Sequence, residues 1–139
     1  MNRKYEVSLL LIRLVLGISF LVHGVVKFQS GIGNIAGWFE SIGLPGFAAY
    51  VVGIIEVVGG IALILGLGTR IVSSLFALIM IGAIVKAKWA GGFLGSPEMA
   101  GYELDLAFFV MALALAIAGN SLLALDGLLS AGRSKRPSA

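Results

Sequence analysis

Four long apolar stretches account for most of this 139-residue chain, and each carries a charged residue inside it or at its rim. A helix needs about 20 residues, at 1.5 Å per residue, to cross a hydrocarbon layer of about 30 Å. Hydrophobic residues make up 59% of the chain, more than a soluble domain of this size can bury. The pattern predicts an all-α integral membrane protein built as a four-transmembrane-helix bundle.

Turn-forming residues separate the four predicted spans. The spans are residues 7–26, 47–67, 71–85 and 104–118. They form one predicted membrane domain over residues 1–130, followed by a disordered basic tail over residues 131–139.

The connection between the first two spans is also patterned. Between residues 28 and 45, apolar residues recur at helical spacing, which predicts a short amphipathic segment. Two placements stay open for this segment: it lies in the membrane interface with Trp38 as an anchor, or it caps the opening of the bundle. The apolar positions are Ile32, Ile35, Trp38, Phe39 and Ile42.

Lysine and arginine positions predict the orientation. One group contains Arg3, Lys4, Arg70, Arg133, Lys135 and Arg136, and the other contains Lys27, Lys86 and Lys88. The positive-inside rule then places both termini and the Arg70 turn in the cytoplasm, for a multi-pass protein of a bacterial plasma membrane. The net charge of +3 does not point to nucleic acid, because the basic residues cluster where lipid headgroups lie.

The chain has no cysteine and a single histidine, His23. Thiolate nucleophiles, disulfides and cysteine-ligated iron–sulfur clusters are therefore excluded. One copy of the chain also cannot supply a zinc or di-iron site built from several histidines. Redox chemistry would need a borrowed cofactor, and no metal site is predicted.

Two charged residues lie inside predicted spans. Arg13 lies about 9 Å from the end of its span, so it either snorkels to water or lies buried on a stripe with Gly17 and Gly24. Glu56 lies about 15 Å from the end of its helix, near mid-bilayer. It is expected to pair with Arg13 or a lysine, or to be protonated. A structural ion pair and a ligand or proton site both fit this pattern.

Two further charged pairs flank the third and fourth spans at similar depth. Lys86 and Lys88 end the third span, and Glu103 and Asp105 begin the fourth. Residues two apart on a helix diverge by about 200°, so we expect one member of each pair to face inward. A salt-bridged rim that meets headgroups is the alternative.

These residues could converge on a single polar funnel. In that hypothesis Glu56, Arg13 and His23 are the catalytic residues. The substrate-binding residues are Lys27, Phe20, Lys86, Glu103 and Asp105. Such a pocket suits a flat, polar-headed molecule that enters from lipid.

The same segments resemble the DoxX family of small four-helix membrane proteins. The first span reads RLVLG followed by Phe20, His23-Gly24 and Lys27. The second region reads GLP at residues 43–45, then Glu56, Gly59-Gly60 and Thr69-Arg70. The resemblance extends from about Leu10 to Leu129 and includes Glu103.

Members of this family are described as membrane components of thiosulfate:quinone oxidoreductase systems, as partners in membrane oxidoreductase complexes, and as proteins that protect against catechols and quinones. The resemblance thus implies an oxidoreductase or redox-complex subunit linked to oxidative stress, with a membrane quinone as its cofactor. It implies a soluble oxidoreductase partner, and a homo-oligomer is a further option. Two alternatives stay open: a small proton-coupled transporter, and a non-catalytic assembly subunit.

Overall fold

The computed structural model describes residues 2–119 and 123–134, with side chains as far as residue 129. The chain is mostly helical. Three of the described helices are long and apolar enough to cross a membrane, namely Arg3–Gln29, Phe47–Leu65 and Thr69–Gly91. The prediction of an all-α membrane protein is therefore confirmed at this level.

The helices follow one another with short connections. Helix α1 begins after Asn2, whose side-chain Oδ1 accepts a hydrogen bond of 2.9 Å from the Lys4 amide and so satisfies a free N-terminal donor. Helix α4 continues through a π-helical segment, Ala83–Lys88, and a 3₁₀ turn, Trp89–Gly91. The helices are α1 Arg3–Gln29, α2 Ile32–Ser41, α3 Phe47–Leu65, α4 Thr69–Gly82, α5 Glu103–Ala118 and α6 Leu125–Ser134.

Two very short strands separate α4 from α5. Strand β1, Gly95–Ser96, pairs antiparallel with β2, Met99–Ala100, so that Gly95 lies opposite Ala100. Beside this ribbon the rings of Trp89 and Tyr102 stack at 5.6 Å between centroids. The ribbon and this stack bring the start of α5 back beside the end of α4.

The predicted elements appear close to their expected bounds. The four apolar spans correspond to α1, α3, α4 and α5, and the amphipathic segment forms α2. Helix α6 extends to Ser134, beyond the domain boundary predicted at residue 130. The remainder of the predicted basic tail, residues 135–139, lies outside the described residues.

Small residues decide which helices pack closely. Helix α1 runs along α3, and a Cβ on Gly60 would lie only 2.7 Å from the backbone oxygen of Gly17. Glycine at both positions therefore allows the two backbones to touch. Helix α4 packs along α5, α1 also contacts α5, and α3 contacts α4. These four helix pairs thus enclose the interior.

The fourth pair, α3 and α4, is connected by a short turn. Gly66 and Gly68 both have positive φ, 74° and 57°, which glycine adopts without steric cost and which reverses the chain. Two turns before Gly66 along α3, Gly59 lies against the ring of Phe76. The Phe76 ring stacks on Phe20 with centroids 3.9 Å apart. On the side of this aromatic layer toward the α3–α4 turn, the core is mostly apolar but also buries Arg13, Thr69 and Ser73. On the other side the bundle contains a cavity.

Candidate functional site

A cavity of about 500 Å³ lies between the α2-side halves of α3 and α4. Helices α1 and α5 form its back, and Trp38 and Phe39 of α2 contribute to its lining. Phe20 and Phe108 separate it from the apolar core. We call it the polar cavity after the five polar side chains in its lining. These are His23, Lys27, Glu56, Lys88 and Asp105.

The Lys27–Glu56 ion pair joins α1 to α3 at the back of the polar cavity. The Lys27 Nζ donates hydrogen bonds to both carboxylate oxygens of Glu56, at 2.8 Å and 3.1 Å. The Glu56 side chain is 4% exposed and the Lys27 side chain 23%. Because Gly24 lies directly against Glu56 and Val57, the helices approach closely one turn before Lys27. This contact brings the ammonium within reach of the carboxylate.

The Lys88–Asp105 ion pair joins the end of α4 to the first turn of α5. The Lys88 Nζ donates to the Asp105 Oδ1 at 3.0 Å. The Asp105 side chain is 7% exposed, and its Oδ2 is buried with no hydrogen-bond partner among the described residues. A carboxylate in the first turn of a helix is also stabilised by the helix dipole. Lys88 is the last residue of the π-helical segment, a geometry common at functional sites.

His23 belongs to the same lining and contacts an aromatic ring. The imidazole meets Phe108 edge to face, with centroids 6.2 Å apart and an interplanar angle of 74°. Unlike Glu56 and Asp105 in the same lining, His23 is exposed. Within the described residues, no group of three or more His, Asp or Glu side chains could hold a metal ion. The donors and acceptors at the polar cavity are therefore lysine, imidazole and carboxylate groups.

The structure brings five of the eight predicted site residues to this cavity. They are Phe20, His23, Lys27, Glu56 and Asp105. The expectation that one member of each flanking pair faces inward is confirmed, since Lys88 and Asp105 form the inward pair. Lys86 and Glu103 are exposed and absent from the lining, because a two-residue offset turns each to the opposite side of its helix. Their predicted role in substrate binding has no support from this placement.

Arg13 lies at the other end of the bundle. It is 1% exposed, and its Nη2 donates a hydrogen bond of 2.8 Å to the backbone oxygen of Leu123. Its burial agrees with the stripe interpretation rather than with snorkelling. Fourteen residues separate it from Lys27 along α1, about 21 Å of helix. The expected convergence of Arg13 with Glu56 is therefore absent, because the two occupy different ends of the molecule.

Lys88, Trp38 and Phe39 are among the lining residues that the sequence did not identify as binding residues. Lys88 was named only as an alternative to Lys86. Which of the two lysines faces the interior depends on the π-helical segment, which the sequence pattern did not predict. Trp38 and Phe39 were assigned to the amphipathic segment, where capping of the bundle was one of two options. Their apolar periodicity was the available signal, but it does not show what the apolar face covers.

Comparison with known proteins agrees with this architecture. The DoxX family model matches residues 8–89, a segment that carries His23, Lys27, Glu56 and Lys88. A Bacillus subtilis protein named "Putative oxidoreductase CatD" is 44% identical over 133 residues, 96% of this chain and 95% of that protein. No solved structure matches the chain.

Two further relatives carry no functional name. An uncharacterized membrane protein of Mycobacterium tuberculosis is 40% identical over 94 residues, 63% of this chain and 58% of that protein. An uncharacterized protein of Haemophilus influenzae is 34% identical over 125 residues, 89% of this chain and 90% of that protein. The family match over more than half of the chain and the near full-length similarity to the Bacillus protein show that this membrane protein belongs to the DoxX family.

Proposed function

We propose that this protein is a membrane oxidoreductase, or the membrane subunit of a redox complex, that binds a quinone- or catechol-like ring in the polar cavity. The observation that carries the proposal is the Lys27–Glu56 pair, with its buried carboxylate, in the wall of a mostly apolar cavity. Burying two charges is costly even when they are paired, so such a pair in a membrane segment indicates a functional site. The oxidoreductase name of the Bacillus relative supports the same reaction class.

The lining suits a flat ring with oxygens on its edge. Lys27 and Lys88 supply ammonium donors for quinone oxygens, and Glu56 and Asp105 supply carboxylate acceptors for the hydroxyls of the reduced ring. Phe20 and Phe108 supply aromatic surface against which a ring can stack. In a site of low dielectric, charged hydrogen bonds are stronger than in water.

Reduction of a quinone to a quinol takes two electrons and two protons. In this proposal the two electrons come from a reductant on a soluble partner protein, because the chain has no cysteine and its described residues form no metal site to carry them. The protons reach the ring oxygens through the Lys27–Glu56 pair and His23, which line the polar cavity together. Glu56 then acts as a proton acceptor and donor, and Lys27 orients and polarises the oxygen.

We further propose that α5 is a fourth membrane-crossing helix and that α2 lies at the outer interface. Helix α5 has 16 residues, about 24 Å at 1.5 Å per residue, and packs along α4. Its outward side is apolar and exposed at Val110, Leu113 and Ile117. This topology leaves both termini in the cytoplasm of a bacterial plasma membrane, in agreement with the lysine and arginine distribution.

Single-cysteine labelling tests this topology, because the chain contains no cysteine of its own. With a membrane-impermeant maleimide, we expect Ser96→Cys to react in intact cells. Asn2→Cys and Leu123→Cys are expected to react only after lysis. Leu123 is exposed and follows α5, so its side of the membrane reports whether α5 crosses. Labelling of Leu123→Cys in intact cells, together with Ser96→Cys, would show that α5 does not span.

Fluorescence of Trp38 provides a direct binding measurement. Trp38 lines the polar cavity, and the chain has only one other tryptophan, Trp89, which a Trp89→Phe background removes. A tailless methoxy-substituted benzoquinone should quench Trp38 in protein reconstituted into nanodiscs. Glu56→Gln is expected to weaken this binding at least tenfold, because the Glu56 carboxylate holds the Lys27 ammonium that donates to the quinone oxygen, and a hydrogen bond to a charged group contributes about 1.5–3 kcal/mol.

Glu103→Gln is the matched control for that experiment. Glu103 is exposed outside the polar cavity, so the same chemical change should alter affinity less than twofold. Equal quinone affinity in the Glu56→Gln protein and the parent would contradict the proposal. Quinone flux into sealed liposomes without any redox partner would instead favour a transporter.

A further inference from the structure

The polar cavity is open at the lateral surface of the bundle, because several of its lining residues are exposed. Its back is formed by α1 and α5, with α1 packed along α3 and α5 packed along α4. Helices α3 and α4 meet at Gly59 and Phe76, below the cavity. Above that contact, the cavity reaches the lateral surface of the bundle between Val51 on α3 and Leu78 on α4. In a membrane this seam faces acyl chains.

Polarity changes steeply from the back of the polar cavity to this seam. Glu56 and Asp105, at the back, are 3% and 5% exposed. At the seam, Val51 is 47% exposed, Leu75 38% and Leu78 65%. All five residues line the same space. A molecule that fills it would therefore need a polar head at the charged end and an apolar portion at the seam.

We propose that the ligand is a membrane-dissolved ring that carries a long apolar tail, and that it enters sideways between α3 and α4. This inference rests on the proposed ring site. The oxygenated head meets the Lys27–Glu56 and Lys88–Asp105 pairs, and the tail passes between Val51 and Leu78 into the acyl chains. The tail then stays in hydrocarbon while the head moves to the ion pairs, so neither part has to cross water.

Narrowing the seam tests this route. The probes are the tailless benzoquinone and the same ring with a decyl tail, each titrated by Trp38 quenching in nanodiscs on the Trp89→Phe background. The double variant Val51→Phe with Leu78→Phe should weaken decyl-quinone binding at least tenfold, while tailless binding changes less than twofold. Because both positions are exposed, added volume there does not disturb the core, and unchanged tailless binding reports an intact site.

Ile61→Phe is the control for a bulkier side chain on the same helix. Ile61 is exposed on α3 but does not line the polar cavity, so both affinities should stay within twofold of the parent. Equal loss for the two probes, or no loss for either, in the Val51 and Leu78 double variant would overturn the lateral route. If neither probe binds the parent protein, the proposed ring site itself fails, and the inference fails with it.

A second measurement locates the tail directly. A decyl-quinone with a photoreactive group at the end of its tail should label the peptides that contain Val51 and Leu78. Labelling confined to α2, around Trp38 and Ile42, would show that the tail leaves through the end of the bundle and would overturn the proposal.

Discussion

Replacing Lys27 with methionine is expected to destabilise the protein by about 3–5 kcal/mol, the usual cost of leaving one member of a buried ion pair without its partner. Lys27 donates to both oxygens of Glu56, whose side chain is 4% exposed. Methionine retains most of the volume of lysine, so the loss reports the charge rather than a packing defect. Unfolding of the detergent-solubilised protein with increasing SDS measures this change.

Two matched variants complete that experiment. Lys86→Met makes the same chemical change at an exposed position and should alter stability by less than about 0.5 kcal/mol. The double variant Lys27→Met with Glu56→Met removes both charges and should recover most of the lost stability, because well-packed apolar residues often replace a buried pair without cost. If the double variant stays as unstable as Lys27→Met alone, an uncompensated Glu56 charge is not the cause.

The same double variant separates the structural role of the pair from its functional role. If the pair serves only helix packing, the recovered protein should bind the tailless quinone as well as the parent does. The proposed function instead expects at least a tenfold loss of affinity in a protein that remains folded, since the polar cavity then lacks its central donor and acceptor.

Arg13→Ala is expected to destabilise the protein by at least about 3 kcal/mol while leaving quinone affinity within twofold. Removing the buried stem costs about 2 kcal/mol or more. Removing the charged hydrogen bond to the Leu123 oxygen costs about 1.5–3 kcal/mol. Arg13 does not line the polar cavity, so ligand contacts stay in place. Thermal unfolding and Trp38 quenching measure the two effects on one preparation.

Hydrogen exchange at the backbone amides of α6 shows which part of the Arg13→Ala protein loses stability. Asp126 accepts a hydrogen bond of 2.6 Å from the Gly68 amide, and the Asp126 amide donates to the Gly66 oxygen. Arg13 adds a third link at Leu123, so its removal should speed hydrogen exchange over residues 123–129. Arg13→Met, which keeps the stem, should show the exchange effect with a smaller loss of stability, and Arg3→Ala at an exposed position should show neither effect.

Quinone affinity is the readout that decides between two roles for Arg13. A tenfold loss of affinity in a folded Arg13→Met protein would restore the role in catalysis or binding that the sequence suggested. Unchanged affinity would establish Arg13 as the residue that holds α6 against the turn between α3 and α4.

Apolar run length determined most of the secondary structure. Long apolar stretches lie in the membrane, where no water can bond the backbone. They must form helices there, because a helix satisfies every backbone hydrogen bond internally. The bounds of α3 and α5 could thus be predicted to within about two residues from Pro45-Gly46, Gly68 and Gly119, which interrupt the apolar runs. The amphipathic period located α2 in the same way.

The sequence also indicated Glu56, together with Glu103 or Asp105, as acidic members of a site, because buried carboxylates need partners. It could not select those partners. Arg13 and Lys27 lie on one stripe of α1, and both were available to Glu56 on charge alone. The antiparallel register of α1 and α3, set by glycine contacts at Gly17–Gly60 and beside Gly24, places Lys27 opposite Glu56.

Tertiary structure alone decided two further features. The π-helical segment turns Lys88 rather than Lys86 toward Asp105, a rotation that no local preference of the AIVKAK sequence shows. Helices α3 and α4 meet at Gly59 and Phe76, and above that contact the exposed side chains of Val51 and Leu78 line the α3–α4 seam of the cavity. Helix formation depends on residues that are neighbours in the sequence. The register of the helices and the α3–α4 seam depend instead on how side chains distant in the chain fit together. Only the folded bundle therefore specifies the cavity.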